Sequence, residues 1–189
     1  MQRTQEVDNS PLDYANIDLN IFENFSSWSD EYLIQINVKK RPYQFQIELV
    51  QMAIKQENTI ICLRTGAGKT YIAALLIKYY YMKKMKIAAN QRFLTIFLVP
   101  HRSICEQQVK AVDIIGNLCV TGCNDESFVH EYIQTSNVIV CTPQKLLNCL
   151  NDQTISLKDI DVLVFDECHN CTGNHPYTQI MEYYVNKPV

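Results

Sequence analysis

Beyond Pro42 the chain alternates between short unbroken apolar runs and longer stretches whose apolar residues recur at helical spacing. Positions 45, 47, 49, 50, 53 and 54 are apolar, which predicts a helix over Gln44–Lys55. Thr59–Leu63 reads T-I-I-C-L, the composition of a parallel strand covered on both faces. Phe93–Val99, Val138–Cys141 and Asp161–Phe165 have the same character. Between these runs lie helical patterns from Gly68 to about Met85 and near Ser103–Ile114, Ser127–Gln134 and Pro143–Leu150. Lys83, Lys84 and Lys86 fall at the end of the first of these, where cations suit the helix dipole. Strands alternating with helices predict an α/β domain, its sheet mostly parallel and covered by helices on both faces. Functional residues are then expected at the C-terminal edge of that sheet. Residues 1–40 show no sustained period and read as an acidic leader with a short helix around Trp28–Ile36, so the domain is placed at 41–189.

Composition changes this picture little. The chain has 189 residues, enough to bury a sizeable core. No stretch approaches the roughly 18 to 20 apolar residues of a membrane span, and the first residues lack the basic-then-apolar order of a signal peptide. A cytoplasmic protein without membrane contact is the expectation. Charge is uneven: the first 31 residues hold seven acids against Arg3, a net −6, which leaves the rest at +3 within a total of −3. A mildly basic body is compatible with a polyanionic partner. The eight cysteines lack paired C-x2-C spacing, so reduced thiols are expected rather than zinc, with Cys62 and Cys141 as small buried hydrophobes in strands.

Candidate chemistry is concentrated in two places. Thr65–Thr70 reads T-G-A-G-K-T after an apolar run and ahead of a helical pattern. Glycines at 66 and 68 let successive backbone N–H groups of Thr65, Gly66, Ala67 and Gly68 approach phosphate oxygens, and the helix adds its positive end. Lys69 would reach the β- and γ-phosphates of ATP, and the Thr70 hydroxyl would ligate Mg2+. The full phosphate-loop pattern asks for glycine at 63, where this chain has Leu63.

The second place is Asp166–His169, D-E-C-H, directly after the last apolar run. Asp166 is placed to hold Mg2+, and Glu167 to orient and deprotonate an attacking water. His169 is a candidate link between the nucleotide site and whatever moves on hydrolysis. The alternatives are plain: Asp166 as a helix cap, His169 as an exposed loop residue, and Pro143 as a strand-to-helix turn.

These motifs carry a resemblance. With Phe45-Gln46-Ile47-Glu48-Leu49, Leu98-Val99-Pro100, Glu106-Gln107-Gln108, Thr142-Pro143-Gln144 and His175-Pro176-Tyr177, residues 41–185 resemble the first RecA-like domain of superfamily 2 DExH helicases. The group concerned contains Dicer nucleases and RIG-I-like receptors. The resemblance implies a RecA-like P-loop fold and ATP with Mg2+ as cofactors. It implies that Gln46 reads the adenine edge beside Phe45, with Gln44 a nearby competitor. Double-stranded RNA is the implied partner, its backbone contacted by Pro100, His101, Thr142, Pro143 and Gln144.

Leu63 and Thr172–Tyr177 look more like Dicer-type helicases, whereas Glu106–Gln108, Thr142–Asn148 and D-E-C-H-N suit the receptors equally. The leader is too short for a caspase-recruitment bundle, which tilts the reading towards Dicer. A DNA-repair translocase and a non-enzymatic RNA-capturing fragment are the rival classes. Relatives in the group continue with a motif III strand and a second RecA-like domain that supplies an arginine finger. This chain stops at Val189, about twenty residues after D-E-C-H, so by itself it is expected to be inactive as a hydrolase and marginally stable.

Overall fold

Four short strands form one all-parallel sheet: β1 (Thr95–Leu98), β2 (Val120–Gly122), β3 (Val138–Cys141) and β4 (Val162–Phe165), in the order β2-β3-β1-β4. The computed structural model describes residues 16–23, 28–89, 91–123 and 129–186. Leu98 lies level with Cys141 on one side and Phe165 on the other, so three strands end together at the C-terminal edge. β3 is apolar throughout and β1 apart from Thr95, and every residue in them is buried because helices cover both faces.

The helices are α1 (Asp30–Gln35), α2 (Gln44–Ala53), α3 (Lys69–Ile87), α4 (Cys105–Val112), α5 (Val129–Thr135), α6 (Pro143–Asn151) and α7 (Pro176–Asn186). Side-chain alternation along the strands assigns them to two layers. Phe97, Val138 and Val140 pack with Ala74 and Ile77 of α3 and Val112 of α4. Ile96, Leu98 and Ile139 face the other way, onto Leu146 and Leu150 of α6 and Ile180 of α7. Lys84 near the end of α3 pairs with Asp161, its Nζ 2.6 and 2.8 Å from the two carboxylate oxygens. Asp161 also accepts from the Leu94 backbone N–H at 2.9 Å, which ties α3 to the entrances of β1 and β4.

The alternating pattern is confirmed as an α/β fold with a parallel sheet flanked by helices. Three local expectations are corrected. Thr59–Leu63 forms no strand, because among the described residues no backbone partner lies alongside it. Cys62 in that segment is exposed rather than a small core residue, whereas Cys141 is buried as expected. β2 was not foreseen, since its half-buried Val-Thr-Gly is too short to show a period. Residues 127 and 128 of the helix expected from Ser127 lie outside the described residues; the helix proper starts at Val129.

The segment read as a leader contributes core where it is described. Ile17, Phe22, Trp28, Tyr32, Leu33, Ile36 and Val38 are buried in one cluster with Ile47, Val50, Ile72 and Leu75. Phe22 meets Trp28 edge-on at 4.9 Å between ring centroids, and Lys86 donates to the Ile17 carbonyl at 3.0 Å. These residues come from a 3-10 turn, loops and the six-residue α1, so no sequence period marks them.

Lys78 on α3 is fully buried, donates to the Gly116 carbonyl at 3.0 Å, and burial pushes its ammonium down to about 8. Below pH 8 both folded and unfolded chains carry this proton. Between about 8 and the unfolded value of 10.5 the unfolded chain binds more of it, so stability rises with pH through that window. A denaturant-midpoint series from pH 7 to 9.5 is expected to climb for the parent chain. Lys78→Met is expected to lose the climb while remaining near the parent at pH 7, where relief of the buried charge is offset by leaving the Gly116 carbonyl without its donor.

Candidate nucleotide site

Residues 64–68 turn between Thr59–Leu63 and α3. Gly66 and Gly68 have φ of +81° and +84°, a left-handed backbone that only glycine adopts without strain. At Gly68 the requirement is doubled, because a Cβ there would lie 2.4 Å from Nε2 of Gln46. Gln46 is buried beneath the loop: Nε2 donates to the Ala67 carbonyl at 3.2 Å, and Oε1 accepts from the Tyr43 backbone N–H at 2.9 Å. Gln44, by contrast, is exposed and donates to Glu48 at 3.0 Å. Phe45 is 40% exposed and stacks on Tyr43, with centroids 6.1 Å apart and planes 10° from parallel.

Lys69 opens α3, and its Nζ donates to the Leu63 carbonyl at 3.2 Å and lies 3.8 Å from Oε1 of Glu167. Leu63 itself packs against the α1–α3 core, so the residue standing in place of the pattern's first glycine does packing work. Both members of the Lys69–Glu167 pair are partly exposed, so its contribution to stability is small; its information is geometric. Lys69, Thr70, Asp166 and Glu167 line one cleft of about 1040 Å³. The two sequence motifs therefore face each other.

Asp166 follows β4 directly. Its Oδ1 accepts from the Glu167 backbone N–H at 3.1 Å and its Oδ2 from Nε2 of Gln108 on α4 at 3.2 Å. Burial, and then the neighbouring Glu167, hold its carboxyl above the usual range, with Lys69 among the influences pulling the other way. A half-buried carboxylate under that pressure suits a cation as partner. Glu167 sits at φ +52°, and that left-handed turn lifts its side chain off the strand direction, where Oε2 comes 3.3 Å from Nδ1 of the exposed His169. Beneath, the Tyr177 hydroxyl donates to the Asp166 carbonyl at 2.7 Å, with the Leu98 carbonyl at 3.3 Å, and its ring meets Phe165 edge-on.

The residues expected to touch nucleic acid lie along the same edge. Pro100 and His101 follow β1, Thr142 caps α6 after β3, and the Val99 backbone N–H donates to the Cys141 carbonyl at 2.9 Å, so the two loops are neighbours. His101 and Gln144 are exposed, and Gln144 bonds Asn148 at 2.8 Å. Pro143 is buried at the first turn of α6, where its fixed φ starts the helix, so it acts as a turn. Sequence reasoning missed Gln108 as part of the site, having named it only within the Glu106–Gln108 stretch that carries the resemblance. Its role depends on α4 bringing Gln108 within reach of Asp166, and no spacing rule signals that.

A phosphate loop at a helix N-terminus, facing an Asp-Glu pair at the end of a parallel strand, defines a helicase-like ATP-binding domain. Residues 37–189 match the family described as the res subunit of type III restriction enzymes, and the chain belongs to that family. It is similar to the antiviral innate immune response receptor RIG-I of Sus scrofa, 34% identical over 160 residues, which are 78% of this chain and 16% of that protein. It is similar also to endoribonuclease Dicer-L of Xenopus laevis, 37% identical over 150 residues, 75% of this chain and 8% of that protein. Endoribonuclease Dicer homolog 1 of Arabidopsis thaliana is 35% identical over 161 residues, 80% of this chain and 8% of that protein. The chain thus spans between 8% and 16% of the length of these relatives. Among the described residues no helix is long and apolar enough to cross a membrane.

Proposed function

We propose that this domain binds ATP for a double-stranded-RNA-dependent helicase, in the setting of a Dicer-like ribonuclease acting in RNA silencing in the cytoplasm. The observation that carries the ATP reading is the closure of one cleft by Lys69 and Glu167 from opposite motifs. Backbone N–H groups of Thr65, Gly66, Ala67 and Gly68 hold the phosphates, and Lys69 moves from the Leu63 carbonyl to a phosphate oxygen. Thr70 and Asp166 are the oxygen donors that fit Mg2+, which would neutralise phosphate charge when bound. Glu167, held beside Lys69 and His169, orients the attacking water and takes its proton. Phe45 seats the base. Gln46, whose amide also braces the loop through the Ala67 carbonyl, reads the adenine edge, with Gln44, bonded to Glu48, its nearby competitor.

Double-stranded RNA enters this reading through the likeness to Dicer and RIG-I and through the exposed His101 and Gln144 and the half-buried Thr142, just after β1 and β3. Hydroxyl, amide and imidazole groups there suit sugar-phosphate contacts rather than base readout. The Thr172–Tyr177 run favours the Dicer-like parent. A RIG-I-like sensor is the second reading, with which Glu106–Gln108 and D-E-C-H-N are equally compatible. Fluorescence anisotropy with 20-base-pair RNA, the equivalent DNA duplex and single strands tests the partner. Duplex RNA is expected to bind about tenfold tighter than duplex DNA, a difference of about 1.4 kcal/mol. Equal affinity would move the assignment to a DNA translocase.

A further inference from the structure

The C-terminal end of β3 carries a group of sulfur atoms that the nucleotide chemistry does not use. The Cys123 backbone N–H donates to the Val140 carbonyl at 2.9 Å. That bond continues the parallel register of Gly122 with Val140 by one residue and sets Cys123 level with Cys141. Neighbouring strands lie about 4.8 Å apart, and side chains at one level point to the same face. Both thiols accordingly join the apolar cluster under α6, with Cys123 0% and Cys141 1% exposed. Their backbone separation falls within the roughly 4.4–6.8 Å between Cα atoms that a disulfide spans.

α6 brings two more groups to the pair. Lys145 and Cys149 are one turn apart and share a helix face. Cys149 packs against the same cluster, whereas the Lys145 Nζ donates to Sγ of Cys123 at 3.1 Å. Sulfur is a weak acceptor, and a lysine ammonium is ordinarily kept in water. The half-buried Lys145 instead gives Cys123 a group in direct contact that can hand on a proton. Burial, and then the neighbouring Cys123, holds the Cys141 thiol above its ordinary range, and burial pushes Cys149 up to about 11. Cys141 therefore keeps its proton and is suited to react second. Cys149, one layer away on α6, lacks the level placement that gives Cys141 its reach. Among the described residues no three His, Cys, Asp or Glu side chains are placed to hold a metal ion, so thiol chemistry is the remaining use of the pair.

We propose that Cys123 and Cys141 are a reversible dithiol–disulfide pair oxidised by a peroxide, with Lys145 as the proton relay. The Cys123 sulfur attacks one peroxide oxygen: an S–O bond forms and the O–O bond breaks. The thiol proton passes through Lys145 Nζ to the leaving hydroxide, giving a sulfenic acid and water. The Cys141 sulfur then attacks Cys123 Sγ; the S–S bond forms, the S–O bond breaks, and the Cys141 proton leaves with the hydroxide as a second water. The two thiols lose two electrons and one peroxide gains them. Both sulfurs are buried, so the oxidant has to be small, and hydrogen peroxide fits that requirement. Thr142 follows Cys141 directly, so the bridge lies beside the turn assigned to RNA, although the inference stands on the thiol geometry alone.

Peptide mapping without reduction provides the test. After hydrogen peroxide treatment of the 189-residue chain and an alkylating quench in denaturant, a linked Cys123–Cys141 peptide is expected, and dithiothreitol is expected to release it. In Cys141→Ala, Cys123 is expected to accumulate as a sulfenic acid, read by a dimedone label. Lys145→Met is expected to slow formation of the link by at least about tenfold, the lower end of what a positioned proton donor contributes, with thermal unfolding unchanged. Recovery of Cys123 and Cys141 as alkylated thiols, while the exposed Cys62, Cys119 and Cys171 are oxidised, would overturn the proposal. So would a link from Cys123 to Lys145 or Cys149 in place of Cys141, an unlabelled Cys123 in Cys141→Ala, or an unchanged rate in Lys145→Met.

Discussion

Lys69→Ala is expected to weaken ATP binding by about tenfold to a hundredfold, because a hydrogen bond to a charged group contributes about 1.5–3 kcal/mol and 1.4 kcal/mol is tenfold. The lysine stands at the mouth of the cleft, 29% exposed, and its contacts to the Leu63 carbonyl and Glu167 are those a phosphate would replace. Little of the core depends on it, so thermal unfolding without nucleotide should stay within a degree or two of the parent. Titration calorimetry with Mg2+ and ATP reads the affinity. A variant whose dissociation constant remains within threefold of the parent would remove the nucleotide assignment. RNA affinity measured on the same variant adds a second distinction: RNA binding that ignores the substitution is the signature of a capturing module rather than a nucleotide-coupled motor.

Trp28→Ala is the substitution expected to cost most in stability, roughly 3–5 kcal/mol, the range for deleting a buried large aromatic side chain. Trp28 is 2% exposed and packs against Phe22 and Tyr32 in the cluster that supports the outer side of α3. Since α3 begins at Lys69, a cavity there weakens the platform that aims the phosphate loop. For a chain of this size each kcal/mol lowers Tm by about 2–4 °C, so a fall of roughly 6–20 °C is expected by calorimetry. Ile34→Ala on the adjoining α1 is the control: that side chain is 78% exposed, and its loss should stay within about 0.5 kcal/mol. Equal effects at the two positions would show that residues 16–38 are not an integral part of this core.

These two predictions differ in how far the sequence alone foreshadowed them. Lys69 was legible because its chemistry is local: a glycine turn, a lysine and a helix start are consecutive residues. Trp28 was not, because it lies in short irregular segments whose apolar residues reach α3 without any period. Gln46 falls between. The family resemblance marked it as a site residue, but which way its amide would turn was settled by the Ala67 carbonyl and the Tyr43 N–H around it.

Amino-acid order by itself determined the alternation of strands and helices, the parallel sheet, and the two motifs, since apolar run length, glycine placement and helix starts act between near neighbours in the chain. Tertiary structure alone decided that Thr59–Leu63 has no partner strand among the described residues, that Gln108 reaches Asp166, and that Ile17, Phe22 and Trp28 belong to the core. Each of these depends on what lies across space. A backbone donor, a carboxylate or an indole acquires its partner only when segments tens of residues apart are brought into contact, and a linear pattern carries no record of that distance.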